Sequence, residues 1–156
     1  MILLDTDTLT LFTAGHPRVT ERVQAATDVI AITIVTRVEI LQGRFDFLLK
    51  AADGEQLRVA QSRLDQTERD LSKLITVPID VAAAAEFDRL RQNKRIKKIS
   101  RADLLIASVA LAHRAHWLRA TCDTSGRYRD CTWKPGPINK RAPQGAVAGP
   151  GDGAVP

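Results

Sequence analysis

A chain of 156 residues, 44% hydrophobic and 26% charged, suits one globular domain with room for a real core and leaves too little for a second. Its 23 Lys and Arg against 18 Asp and Glu give a formal charge of +5, which favours anionic partners. No apolar run approaches the ~20 residues of a membrane helix, the first hydrophobic segment carries Asp5 where a signal peptide would carry basic residues, and Cys122 and Cys131 are too few for a disulfide framework. A cytoplasmic protein with ordinary thiols and no membrane partner is expected.

Ile2, Leu3 and Leu4 form a short apolar run that stops at Asp5. Residues 29–34, 74–78 and 117–122 are likewise short and mainly apolar or β-branched, as strands buried on both faces tend to be. Between them the periodicity turns helical. Over residues 36–50, Val38, Leu41, Phe45, Leu48 and Leu49 recur at three- and four-residue spacing. After the turn-like Asp53-Gly54, Leu57, Ala60, Leu64, Leu71 and Leu74 continue such a stripe, predicting a helical hairpin whose stripes serve chiefly the core. Residues 81–93 and 101–115 supply two further helices. Strands alternating with helices predict an α/β fold with a mostly parallel sheet. Five of the seven prolines and five of the nine glycines fall after residue 133. The expected division is a folded domain over 1–132 and a disordered Pro/Gly/Ala-rich tail over 133–156.

In an open α/β sheet the ligand crevice lies beyond the carboxyl ends of the strands, so acids that end a strand or open the next helix are the informative ones. Asp5 follows the first apolar run and has neither turn nor capping logic in the sequence; Asp7 lies one alternation further and shares its mouth. Glu39 is expected in the first turn of the helix after the second strand, Asp103 in the first turn of the helix before the last strand, and Asp123 ends that strand. Carboxylates converging in a low-dielectric site repel one another, and a divalent cation with oxygen ligands, Mg2+ or Mn2+, is the usual relief. Simpler roles exist for three of them. Ser100-Arg101-Ala102-Asp103 has the form of a capping box, Glu39 suits a helix N-terminus, and Asp123 before Thr124, Ser125 and Gly126 suits a turn.

Four segments in order, Leu4-Asp5-Thr6-Asp7-Thr8-Leu9, Thr33-Ile34-Val35-Thr36-Arg37-Val38-Glu39-Ile40-Leu41-Gln42-Gly43, Ser100-Arg101-Ala102-Asp103-Leu104-Leu105-Ile106-Ala107 and Thr121-Cys122-Asp123, resemble a PIN-domain ribonuclease. Within that family the chain is most similar to the VapC-type toxins of bacterial and archaeal toxin–antitoxin pairs, over about residues 1–128. The resemblance implies a three-layer α/β/α sandwich, a homodimer, a cognate antitoxin, and an acidic pocket that holds Mg2+ or Mn2+ and hydrolyses RNA phosphodiester bonds. It makes Asp5 and Asp103 the principal metal ligands, Glu39 a ligand directly or through water, and Asp123 the acid that completes the pocket or orients the nucleophilic water, with Thr6 and Thr36 as supporting hydroxyls. An amphipathic antitoxin helix would find a groove on the helical hairpin.

After Asp123 the sequence departs from the family pattern. Gly126 and Arg127 stand where an acid and an aromatic are usual, and no closing strand is evident. Lys94, Arg95, Lys97, Lys98 and Arg101 form a basic run that leads into the Asp103 helix, where contact with an RNA backbone is physically sensible and a solvated loop is the simpler reading. His16, His113 and His116 have incidental settings and no catalytic histidine is required. Two alternatives remain open at this level. One is a non-catalytic PIN module that binds RNA or an antitoxin. The other is a haloacid-dehalogenase-type phosphatase, because Asp5-Thr6-Asp7-Thr8 also resembles its nucleophile signature, although the later Lys and acidic pair of such enzymes are not evident after Asp80.

Overall fold

The computed structural model describes residues 1–93 and 99–118 in full and residues 119–122 and 128–134 as backbone. The elements run β1 (Ile2–Leu4), α1 (Thr6–Thr13), α2 (Pro17–Gln24), β2 (Ile30–Thr33), α3 (Ile34–Leu49), α4 (Gly54–Ser72), β3 (Ile75–Val77), α5 (Val81–Arg91), α6 (Arg101–Ala112), β4 (His116–Cys122) and β5 (Tyr128–Lys134). The sheet order is β3-β2-β1-β4-β5. The first four strands are parallel, with Ile2 opposite Ile30 on one side and His116 on the other, and β5 closes the edge antiparallel to β4.

The three layers follow from the alternation of side chains along each strand. Ile2, Leu4, Ile32 and Leu118 point to one face, where Leu9 of α1, Val19 and Val23 of α2 and Leu71 of α4 cover them. Leu3, Ala31 and Trp117 point to the other, under Ala83 and Leu90 of α5 and Ile106, Ala107, Val109 and Ala110 of α6. Each fully buried Leu or Ile contributes about 1.5–3 kcal/mol of burial, so the three residues of β1 hold it between both helical layers despite its shortness. The fold is the expected α/β/α sandwich. Among the described residues, no helix is long and apolar enough to cross a membrane.

The stretch between β1 and β2 has no expected element, and three sequence expectations need correction. The segment after β1 is a pair of short helices, α1 and α2, joined where Gly15 takes a φ of +73°. The C-terminal turn of α1 favours glycine there, and Pro17 opens α2 at the position where a missing N–H costs nothing. Asp5 does have a capping role: its Oδ1 accepts from the backbone N–H of Thr8 at 2.8 Å and starts α1. The stripe on α3 is only partly core, since Val38, Phe45 and Leu49 are 53%, 51% and 66% exposed. A closing strand, β5, is present. The tail expected from residue 133 onward lies, beyond Lys134, outside the described residues.

Candidate functional site

The C-terminal ends of the parallel strands open into a cleft of about 400 Å³, walled by the start of α1, one face of α3 and the start of α6. Its described lining is Asp5, Thr6 and Asp7, then Glu39, Gln42, Gly43 and Asp46, then Ser100, Ala102, Asp103 and Ile106. The five carboxylates come from three separate stretches of chain, and no basic side chain is among the described lining residues. Like charges gathered in one concave site disfavour one another's ionised form unless positive charge enters.

Local structure explains each placement. Asp5 is 6% exposed and fixed at the mouth of β1 by its cap to Thr8, while Thr8 Oγ1 donates to the Leu118 carbonyl at 3.1 Å and ties α1 to β4. Thr33 ends β2 and caps α3 with no intervening loop, its Oγ1 accepting from Thr36 N–H at 3.1 Å. Because α3 starts at Ile34, Glu39 lies in the second helical turn and not the first, and reaches across to α1, where Thr6 Oγ1 donates to its Oε2 at 2.5 Å. Thr36 does not line the cleft. Fully buried, its hydroxyl lies 3.1 Å from that of Thr33 and 3.4 Å from the Leu4 carbonyl, so it braces the backbone just before Asp5. At α6, Ser100 Oγ accepts from Asp103 N–H at 3.0 Å, as the capping box requires of its first residue, and the Asp103 side chain faces the cleft.

Asp5, Asp7, Glu39 and Asp103 are therefore brought together with Thr6, as the sequence suggests. Asp123, Lys94, Arg95, Lys97 and Lys98 lie outside the described residues. Arg101 is exposed, its guanidinium carbon 5.4 Å from the centre of the Phe87 ring. His113 ends α6 and lies 3.3 Å from Asp80 at the start of α5, away from the cleft lining. Asp46 is a cleft acid that the motifs do not include. Its signal was the helical period itself: Glu39, Gln42, Gly43 and Asp46 stand at i, i+3, i+4 and i+7, one stripe of α3.

The donor set suits a hard divalent cation, which takes oxygen ligands from carboxylates and water. Asp5, Glu39 and Asp103 bring such oxygens from three walls of one cleft. Among the described residues, no three of these groups already stand as a closed cage.

A second, larger groove of about 680 Å³ lies between α1, α3 and α4. Leu9, Phe12, Ile40, Leu71 and Leu74 give it an apolar floor, and Arg44, Arg63 and Lys73 give it a basic rim. The hydrogen bonds from Gln66 and Lys73 hold the Asp70 carboxyl on that rim below the usual carboxylate range.

The family model of the PIN domain matches residues 2–127. Among solved structures, FitAcB from Neisseria gonorrhoeae is similar at 26% identity with a TM-score of 0.56, over 81% of this chain and 90% of that one. VapBC2 from Rickettsia felis, bound to a DNA fragment from its promoter, is similar at 26% identity and a TM-score of 0.56, over 78% and 88%. VapBC-5 from Mycobacterium tuberculosis, a member of a toxin–antitoxin family, is similar at 25% identity and a TM-score of 0.51, over 79% and 86%. No protein of curated function matches the sequence.

Proposed function

The chain belongs to the PIN domain family, and on that premise we propose that it is a divalent-metal-dependent endoribonuclease, the cytoplasmic toxin of a toxin–antitoxin pair. The observation that carries this reading is the cleft at the strand ends, lined by five acids and, among its described residues, by no base. Such a site repels a phosphodiester unless cations mediate, which is the arrangement metal-assisted hydrolysis needs. Asp5 and Asp103 would be the principal Mg2+ or Mn2+ ligands, with Glu39 beside them and Asp123 expected to complete the set. When bound, such an ion would supply Lewis-acid charge for a phosphodiester and would lower the pKa of a water.

This chain's residues do the positioning. Thr6 holds one oxygen of Glu39, whose side chain lies on the cleft wall. The Thr8 amide fixes Oδ1 of Asp5, and Thr36 steadies the strand end that carries it. Orientation of ligands by such partners is worth about 10–100-fold in metal affinity or activity at characterised sites.

The proposed partners have surfaces to meet. An amphipathic antitoxin helix with acidic flanks would match the apolar floor and basic rim of the α1–α3–α4 groove. A homodimer would cover the exposed Val38, Phe45 and Leu49 of α3.

The deciding experiment is incubation of a mixed RNA pool with the purified chain in Mg2+, Mn2+ or EDTA, beside Asp5→Asn and Asp103→Asn and with a phosphomonoester control. Cleavage that needs metal and is lost in both variants is expected. Metal binding without cleavage would sink the nuclease reading in favour of a non-catalytic module, and monoester turnover lost only with Asp5→Asn would favour a phosphatase.

A further inference from the structure

One half-buried aromatic, Phe87 on α5, has two guanidinium groups over its ring. Arg91, one helical turn on, has its guanidinium carbon 5.6 Å from the ring centre, and Arg101, the first residue of α6, has its own at 5.4 Å. Both are exposed. Their neighbour Arg89 is paired with Glu86 at 2.6 Å, whereas among the described residues neither Arg91 nor Arg101 has a carboxylate within ion-pair distance.

The helix dipole treats the two arginines differently. Arg91 in the last turn of α5 is favoured by the helix dipole, but Arg101 stands at the first position of α6, where a cation is disfavoured. Two like charges also share one ring. The ring quadrupole holds each of them, and each is exposed to meet an anion. Ser100, Ala102 and Asp103, on either side of Arg101, line the acidic cleft, so the Arg101 backbone borders it while its guanidinium turns to Phe87 on α5.

We propose that Phe87, Arg91 and Arg101 form a phosphate clamp for single-stranded RNA beside the cleft, on α5 and α6. Phe87 is a positioning residue, which holds the two guanidiniums ready for backbone phosphates. The proposal rests on the ribonuclease reading and adds to it the direction in which the strand leaves the cleft. It also explains how a polyanion approaches five carboxylates: the cation pair beside the cleft offsets their repulsion before the scissile phosphate arrives.

The test measures binding of a fluorescein-labelled single-stranded RNA to the full chain in EDTA across a KCl series, with metal-dependent cleavage followed in parallel. Arg91→Gln and Arg101→Gln are each expected to flatten the plot of log affinity against log salt by about 0.7, one phosphate contact on a single strand. Phe87→Leu is expected to raise Kd and KM about threefold with salt slope and kcat unchanged, and Phe87→Trp to restore both. Unaltered slopes in the arginine variants, or wild-type binding by Phe87→Leu, would overturn the clamp while normal cleavage left the nuclease standing. Flattened slopes in a chain that binds RNA without cutting it would support the clamp and overturn the nuclease. A wild-type chain that neither binds nor cuts RNA would overturn both.

Discussion

The acidic cleft and the α1–α3–α4 groove share a wall, and their chemistries are opposite. Helix α3 turns Glu39, Gln42, Gly43 and Asp46 to the cleft, and Ile40 and Arg44 to the groove. The cleft collects acids on strand ends and helix starts, where rigid backbone aims them and little apolar burial depends on them. The groove is floored by Leu9 and Leu71, which also belong to the core under the sheet. One helix thus separates side chains that cost stability when gathered from side chains that provide it. Substitutions on the two sides of α3 are expected to fail in different measurements.

The largest contrast is expected from Asp5→Asn and Asp103→Asn. Each should lower RNA cleavage at least about 100-fold, since charge aimed at the reacting phosphate is lost. Both should unfold at nearly the wild-type urea midpoint, because Asn caps α1 as well as Asp does and Asp103 is capped through its backbone N–H. Asp5→Ala gives up the cap as well and should lose about 1 kcal/mol more than Asp5→Asn in the same titration. Leu71→Ala reverses the pattern. It should cost about 2–5 kcal/mol of stability, while the fraction that remains folded cuts RNA at the normal rate. A Leu71 variant that is stable but slow would break the separation between the two walls.

Thr6→Val is the intermediate case, because it removes neither a charge nor core packing. Removing the donor to Glu39 should weaken Mn2+ binding about tenfold, read by calorimetry and by the metal dependence of cleavage. The smallest effect is expected at Gly43. Nothing lies within 4 Å of where its Cβ would be, so Gly43→Ala should stabilise α3 by about 0.5–1 kcal/mol while placing a methyl on the cleft wall. Raised stability with raised KM would show that the glycine keeps the cleft open at the helix's expense. Unchanged KM would assign it to the helix alone.

Much of the cleft was legible because its acids sit where pattern changes. Asp5 interrupts an apolar run, and Asp103 follows Ser100 at capping distance. What the sequence hid has physical causes. The capping role of Asp5 depends on a helix, α1, whose Thr-rich sequence carries poor helix formers and is held by packing of Leu9 and by Thr8 on Leu118. Glu39 stands a turn later than its spacing suggests because Thr33 ends a strand and caps a helix at one position, which no loop signal marks. Asp46 belongs to no motif and shows only when α3 is wound into its period. The α3 stripe of Val38, Phe45 and Leu49 has the spacing of a buried face without the neighbours to bury it, and spacing cannot count neighbours.

The position of β1 also bears on how the protein is made. The strand that leads into Asp5 precedes every other described element along the chain, yet it is central in the sheet and pairs with β4, whose His116 and Leu118 face Ile2 and Leu4. Even the Asp5 amide donates to the Leu118 carbonyl, at 3.4 Å. Contacts that close so long a loop form late. A nascent chain on the ribosome therefore displays Asp5 long before it has the strand that seats it, and the cleft comes together only when β4 has left the exit tunnel.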